Sequence, residues 1–469
     1  MLTYNFKDKK KPLYLQAYEF IKSDILSGNL KSNEKLPSKR TFAENNGVSI
    51  ITIQNAYDLL LSEGFVYSKP RSGYYVSKIQ SLKPTEKHSG IKHPVDLPAK
   101  EDIDIDLSSN IINPYSFPFS IWAKLSRQTI SNLERELMEV CPGNGTYELR
   151  SAISSHLSSF RGMSVSPDQI VIGAGTEYLY SLILQLLGFD KLYSTENPGY
   201  DKLSKIYSQY HTKCKYLDMD DNGISINALN HSKASVVHIC PNHHFPTGIT
   251  MPASRRYEIL EWASRSNDRF IIEDDYDSEF RTNGKPIPTL FSMDQREKVI
   301  YINTFSKSLS PTIRISYMVL PCSLASQYYK KLSFYSCTVS NFEQYTLAAF
   351  IKQGYFEKHI NRMRLYYSKQ REELKEILIN SSLQGHFNII DNESGLHFLI
   401  KLDTSLSDKT VYTRLLKNKI KIAPLSQYFQ TEDKSSDHYF IINYSNLDME
   451  KMPEVCETIA SLLFPSHED

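Results

Sequence analysis

From about residue 106 onward, short apolar runs recur between stretches of helical periodicity. QIVIG (169–173), SVVHIC (235–240), FIIEDD (270–275), VIYINT (299–304) and YMVLP (317–321) are apolar along most of their length. Runs of this kind predict strands buried on both faces, and their alternation with helices predicts an α/β fold with a largely parallel sheet. A long helical stretch near 340–380 leads into a smaller α+β segment, a subdomain over about 340–469. The first 79 residues have a different pattern. Phe42 and Ala43 fall in a short helix over about 38–45, and Gly47 stands where a tight turn needs a positive φ. Ser49 suits an N-cap, and Ile53, Ala56, Tyr57 and Leu60 then recur along one helical face. The opposite face carries Ile50, Thr52, Gln54 and Asn55. The stretch FVYSKPRSGYYVSK (65–78) alternates around Pro70-Arg71-Ser72-Gly73, a hairpin signal.

Residues 80–105 lack periodicity and mix Pro, Lys, Glu and Ser, which is linker composition. The expected layout is therefore a head over 1–79, a linker over 80–105 and a body over 106–469. The length of 469 residues exceeds what a single core usually supports. An apolar fraction of 41% and a charged fraction of 23% exclude a disordered or collagen-like chain. The formal net charge of +1 argues, read alone, against a nucleic-acid partner. Divided at the linker it reads otherwise. The head holds 12 Lys/Arg against 7 Asp/Glu, a net of +5, and the rest carries −4. Six dispersed cysteines form no CxxC pair or zinc spacing, so no metal site is expected and the thiols read as buried and free in a reducing compartment. The longest apolar stretch, Tyr178 to Leu187, is too short to span a bilayer, and a cytoplasmic protein with no membrane partner is expected.

A helix-turn-helix followed by a hairpin predicts a winged helix, with the recognition helix in the major groove and the wing on the backbone or minor groove. PLYLQAYEFIKSDILSGNL (12–30), KLPSKRTFAENNGVS (35–49) and TIQNAYDLLLSEGFVYSKPRSGYYV (52–76) resemble the GntR-type winged-helix family. The resemblance implies that Arg40, Ser49, Thr52, Gln54 and the wing from Arg71 to Gly73 contact double-stranded operator DNA. The family often has Arg directly after the GVS element. Here it is Ile50, which can contact only a thymine methyl or the sugar edge.

Three elements in the body carry candidate chemistry. YINTFSKSLSPTIRISYMVLP (301–321) places Lys307 in a polar loop after a strand, with hydroxyls at Thr304, Ser306, Ser308 and Ser310 and a guanidinium at Arg314. An amine, hydroxyls and a guanidinium together suit a phosphorylated aldehyde: the lysine forms a Schiff base and the others hold the phosphate. FIIEDDYDSEF (270–280) puts acids at the end of an apolar strand, where a carboxylate can keep a pyridine nitrogen protonated and a tyrosine can bind a phenolic oxygen. VIGAGTEYLYSLILQLLG (171–188) reads as strand, Gly-rich turn and helix N-terminus, an anion site.

With FPFSIW (117–122), GNGTYELRSAISSHL (143–157), ENPGY (196–200) and PNHHFPTGITMP (241–252), these elements resemble the aspartate-aminotransferase-like, fold type I pyridoxal phosphate proteins over about 106–465. The resemblance implies Lys307 as the Schiff-base lysine, Asp274 on the pyridine nitrogen and Tyr276 on the phenolic oxygen. Gly175, Thr176, Thr304 and Arg314 would bind the phosphate, and Tyr200 would lie over the ring or line an effector pocket. His243 and His244 precede the Pro-Thr-Gly, with Phe245 where enzymes of this family commonly have Asn. A GntR-type head on an aminotransferase-like body is the architecture of the MocR/GabR regulators. It implies a pyridoxal phosphate-dependent regulator that senses an amine or pyridoxal phosphate itself, the latter possibility extending to control of pyridoxal phosphate synthesis genes. The alternative is an active aminotransferase with an accessory head. The arginine that grips a substrate carboxylate in such enzymes falls by spacing on Ile441, and Lys202 stands where a subfamily effector meets an arginine. Sensing with at most weak transamination is expected. The resemblance to fold type I proteins, whose sites are usually completed across a dimer interface, implies a homodimer with heads swapped head-to-tail, reading two half-sites, direct or inverted.

Overall fold

The computed structural model describes residues 2–6, 11–79, 102–109, 113, 116–281, 287–391, 395–430 and 436–465. The chain forms two compact units, Met1–Lys100 and Glu101–Asp469. Residues 80–101, most of the expected linker, lie outside the described residues.

In the head, helices Leu13–Ser27 (α1), Lys39–Asn46 (α2) and Ile50–Ser62 (α3) precede an antiparallel hairpin of Val66–Lys69 (β1) and Gly73–Val76 (β2). Local capping fixes the boundaries. The Ser38 Oγ accepts from Thr41 N–H at 3.1 Å to start α2, and Gly47 ends it at a φ of 63°. Ser49 caps α3 in the same way through Thr52 N–H, also at 3.1 Å. Phe42, Ala43, Ile53, Ala56, Tyr57 and Leu60 are buried in one core with Val66 and Val76. Burial of that face leaves Ile50, Ile51, Gln54 and Asn55 exposed on α3.

The body opens with Ile105–Asp106 (β3), so Ile105, at the end of the segment read as linker, belongs to the body. The main sheet contains Ile170–Gly173 (β4), Tyr193–Asn197 (β5), Cys214–Asp220 (β6), Gly223–Ile224 (β7), Val236–Ile239 (β8), Phe270–Asp274 (β9), Val299–Thr304 (β10) and Ser316–Val319 (β11). Their order is β4-β11-β10-β9-β8-β5-β6-β7. The inner strands β6, β5, β8, β9 and β10 run parallel, as the alternating pattern predicts, while β11 is antiparallel to both β10 and β4. All five predicted strands belong to this sheet. Both its faces are covered: Ile272, Ile300 and Ile302 enter one apolar cluster, and Ile271 and Val299 another around Trp262. The C-terminal ends of β5, β8, β9 and β10 thus meet at one edge, where open α/β sheets hold ligands.

The helical stretch near 340–380 is two helices, Asn341–Lys352 and Tyr355–Ile379, separated at Gly354 with a φ of 73°. A small sheet follows, built from Phe387–Ile390 (β12), His397–Leu402 (β13), Ala423–Pro424 (β15) and Tyr439–Asn443 (β16), all antiparallel. The intervening Ile420–Lys421 (β14) pairs in parallel with β3. The cysteines correct one expectation. All six are free, but only Cys456 is buried, and Cys322 is exposed at the first position of the helix Cys322–Lys331.

Candidate functional site

A cavity of about 470 Å³ opens at the C-terminal edge of the parallel strands. Lys307, Asp274, Tyr276, Thr176, Thr304, Arg314 and Tyr200 all line it, although they come from four separate stretches of the chain. Ser306 lines it as well. Ser308 and Ser310, read in sequence as phosphate ligands, do not. The Ser308 carbonyl accepts from His359, and the Ser310 hydroxyl pairs with Thr312 at 2.8 Å, because the chain turns away after the short helix Phe305–Ser308.

The acidic run at the end of β9 is divided by strand alternation. The Glu273 carboxyl accepts from Leu290 and Phe291 N–H, both at 2.9 Å. Asp275 is buried against Arg161, with Nη2 at 2.6 Å, and also accepts from Tyr301 and Asn242. Burial alone would raise the Asp275 pKa, but Arg161 and these hydrogen bonds hold it below the ordinary carboxylate value. Only Asp274 reaches the cavity. Its Oδ2 accepts from the Tyr180 hydroxyl and lies 3.5 Å from His238 Nε2, while its buried Oδ1 has no hydrogen-bond partner. A buried carboxylate oxygen without a donor costs free energy, so this atom is fitted to receive a ligand N–H. His238 is itself fixed by the Tyr207 hydroxyl at 2.8 Å.

Lys307 lines the same cavity. Burial lowers its pKa to about 8, with Asp277 acting in the opposite sense. Its ammonium therefore deprotonates more readily than an exposed lysine, as a nucleophilic amine requires. Tyr276 is half-buried, and its hydroxyl sits 3.2 Å from His243 Nδ1, which lies 2.9 Å from Asp277.

The anion end is built on the turn between β4 and the helix Thr176–Leu187. Gly175 has a φ of 93° and does not itself line the cavity. A Cβ there would fall 2.3 Å from Arg314 Nη2, so the glycine leaves the space that the guanidinium fills. Across β10 and β11, Ser316 donates to the Thr304 hydroxyl at 2.8 Å, which orients it. Arg314 does not stand alone. Its Nη2 meets Glu177 Oε2 at 2.5 Å, and Lys202 pairs with the other carboxylate oxygen of Glu177. Burial opposes ionisation of Glu177, but the two cations prevail and lower its pKa.

Sequence reasoning missed Tyr180, His238, Glu177, Glu196 and Tyr428. A histidine inside the apolar run SVVHIC was the readable signal for His238. Glu196 accepts from Cys240 N–H at 2.9 Å, has a second oxygen without a partner, and is pushed up to about 8 by burial. Ile441 is buried with Leu399, Ala423 and Leu425, so its position is apolar in structure as in sequence.

In the head, Gln54 is exposed and Thr52 half-buried on α3, and Arg40 is exposed on α2 beside Glu44 at 3.0 Å. The hydroxyl of Ser49 is used for capping. Ser72 N–H bonds to the Lys69 carbonyl at 3.0 Å, closing a turn with Pro70 and Arg71 at its centre. Pro70 fixes a negative φ and Arg71 adopts +60°, which makes a type II turn with arginine where glycine is usual. Gly73 follows at a φ of 112°.

Comparison with known proteins matches residues 102–459 to aminotransferase class I and II, and residues 13–76 to the bacterial regulatory proteins of the gntR family. The chain is 37% identical to the uncharacterized HTH-type transcriptional regulator YdeL of Bacillus subtilis, over 89% of this chain and 90% of that one. It is 28% identical to the probable rhizopine catabolism regulatory protein MocR of Rhizobium meliloti, over 97% and 94%. It is 27% identical to the pyridoxine biosynthesis transcriptional regulator PdxR of Corynebacterium glutamicum, over 88% of each. Among solved structures, Pyrococcus horikoshii kynurenine aminotransferase in complex with PMP superimposes with a TM-score of 0.67 at 25% identity, over 78% of this chain and 95% of that one.

The two neighbouring aspartates should respond differently to the same change. Asp275→Asn removes the carboxylate that pairs directly with buried Arg161 and should cost about 3–5 kcal/mol of stability. Asp274→Asn keeps an acceptor for Tyr180 and should cost about 1 kcal/mol. Urea unfolding of the two variants checks this, and equal losses would show that both carboxylates are structural.

Proposed function

The chain belongs to the aminotransferase class I and II family and carries a gntR-family head, the architecture of the MocR/GabR regulators, and from that premise we propose that it is a DNA-binding transcriptional regulator whose body binds pyridoxal 5'-phosphate. The supporting observation is the convergence of Lys307, the partnerless Asp274 oxygen and Arg314 on one cavity. These residues fit the cofactor. Lys307 would carry it as a Schiff base, Asp274 Oδ1 would accept from the pyridine nitrogen, and Tyr276 would donate to the phenolic oxygen. Thr176, Thr304, Arg314 and the amides at the helix N-terminus would hold the phosphate, with Gly175 leaving them room and Tyr200 at the mouth. The bound cofactor supplies an electrophilic carbon and an electron-accepting ring.

The body acts in this reading as a sensor. An amine, or pyridoxal phosphate itself, shifts the DNA-binding state of the heads. The likeness to a pyridoxine biosynthesis regulator supports the cofactor as signal, and that to a catabolism regulator supports a small-molecule effector. Arg40, Thr52, Gln54 and the wing at Arg71 and Gly73 would contact DNA, with Ser49 setting the start of the reading helix. A cytoplasmic homodimer, its heads swapped head-to-tail, completes the proposal. Exposed Phe119, Met138, Val140 and Phe334 provide apolar surface on the body for a second copy.

Purified protein should show visible absorbance from bound pyridoxal phosphate, and Lys307→Ala should lose that band; a variant that keeps it would remove Lys307 from the role. Uptake of pyridoxal phosphate needs the neutral amine of Lys307, whose pKa is lowered to about 8 by burial. The uptake rate should therefore rise with pH and level off above about 8. A rate still climbing as steeply between pH 9 and 10.5 would contradict the buried environment.

The wing makes a separate prediction. Relief of a left-handed arginine is worth roughly 1–2 kcal/mol, against roughly 0.5–1 kcal/mol for the added freedom of glycine. Arg71→Gly should leave the head at least as stable by thermal unfolding, while DNA binding weakens and its salt slope falls by about 1. Unchanged affinity and slope would take Arg71 away from the DNA.

A further inference from the structure

We propose that the small molecule this cavity admits beside Lys307 is a primary amine with an apolar tail and no carboxylate; the inference rests on the pyridoxal phosphate reading above. Charge supplies the first reason. Among the described residues lining the cavity, the cations are Lys202, Lys307 and Arg314. Glu177 holds both Lys202 and Arg314, and in the loaded protein the phosphate would draw on Arg314 as well. Lys202 pairs with the other carboxylate oxygen of Glu177, which the phosphate would not contact. Arg314 has one edge on Glu177 and the carbonyl of Ala174, and the phosphate would take what remains, so no fork is left for a ligand carboxylate. A ligand carboxylate would therefore meet no uncommitted cation at this end of the cavity.

Shape supplies the second reason. Phe245 and Tyr428 line the cavity and also pack on the apolar cluster of Leu399, Leu425 and Ile441. The Phe245 and Tyr428 rings meet edge to face at 5.2 Å and 89°, and Tyr200 meets Phe245 at 6.2 Å and 84°. The segment carrying Tyr428 is tied to the cavity rim, since its carbonyl accepts from Gly199 N–H and Gln430 N–H bonds to Asn197. This wall offers ring faces and edges to whatever extends from the reacting nitrogen, and it suits a hydrocarbon tail.

The test compares amines with the amino acids that differ only by the carboxylate. Full-length protein loaded with pyridoxal phosphate is titrated with 3-methylbutylamine against leucine, and with 2-phenylethylamine against phenylalanine. The visible absorbance and the heat of binding are followed. Each amine should half-saturate at least tenfold lower in concentration than its amino acid. Amino acids binding as well as the amines, or no response to either amine, would overturn the proposal. Glu177→Gln releases Lys202 and should narrow the gap at least threefold by strengthening the amino acids; an unchanged gap would overturn the charge argument. Phe245→Ala should weaken the amines alone, and equal weakening of both partners would overturn the role of the wall. Failure of the cofactor reading is separate, because the loaded protein would then show no absorbance before any amine is added.

Discussion

Consecutive side chains of a strand cannot share one environment, and the site depends on that constraint at the end of β9. Glu273, Asp274 and Asp275 are adjacent in sequence and divided in space. Asp275 anchors Arg161 inside the body, Glu273 caps the backbone at Leu290 and Phe291, and Asp274 alone faces the cavity. Tyr180 holds one of its oxygens in place by a hydrogen bond. The other is left to a ligand, as a site held ready for a protonated ring nitrogen requires.

Charge at the opposite end of the cavity is organised by one residue. Glu177 sits in the first turn of a helix whose N-terminus already favours anions, and there it engages Arg314 and Lys202. Gly175 lets Arg314 lie against the turn, and Thr304 is oriented from the next strand. A phosphate arriving here joins an existing set of opposed charges. Phe245 and Tyr428 form an aromatic wall on the same cavity.

Local signals carried most of the head. Ser38, Gly47 and Ser49 act through hydrogen bonds or backbone angles within a few residues, so caps, turn and apolar face are legible in sequence. The body was legible where a strand is uniformly apolar. YSTEN escaped notice because Ser194, Thr195, Glu196 and Asn197 are buried although polar, their partners coming from neighbouring strands and loops. The same limit governs the site. Lys307, Asp274, Tyr276, Thr304 and Arg314 announce themselves by residue type in short motifs. Tyr180 lies 94 positions from Asp274 and Arg314 lies 137 from Glu177, and no periodicity reports pairings at that range. Ser308 and Ser310 share the composition of the loop but not its orientation.

The central claim is that occupancy of the body controls the head. It is tested most directly by measuring the affinity of the full-length protein for a fragment of its own upstream DNA, at fixed salt, with the body stripped of pyridoxal phosphate and then saturated with it. Coupling of ordinary size predicts a change in Kd of roughly 5- to 150-fold in either direction, and the same change should be absent in Lys307→Ala. Equal Kd values for the stripped and saturated protein, with DNA bound specifically in both, would contradict the account.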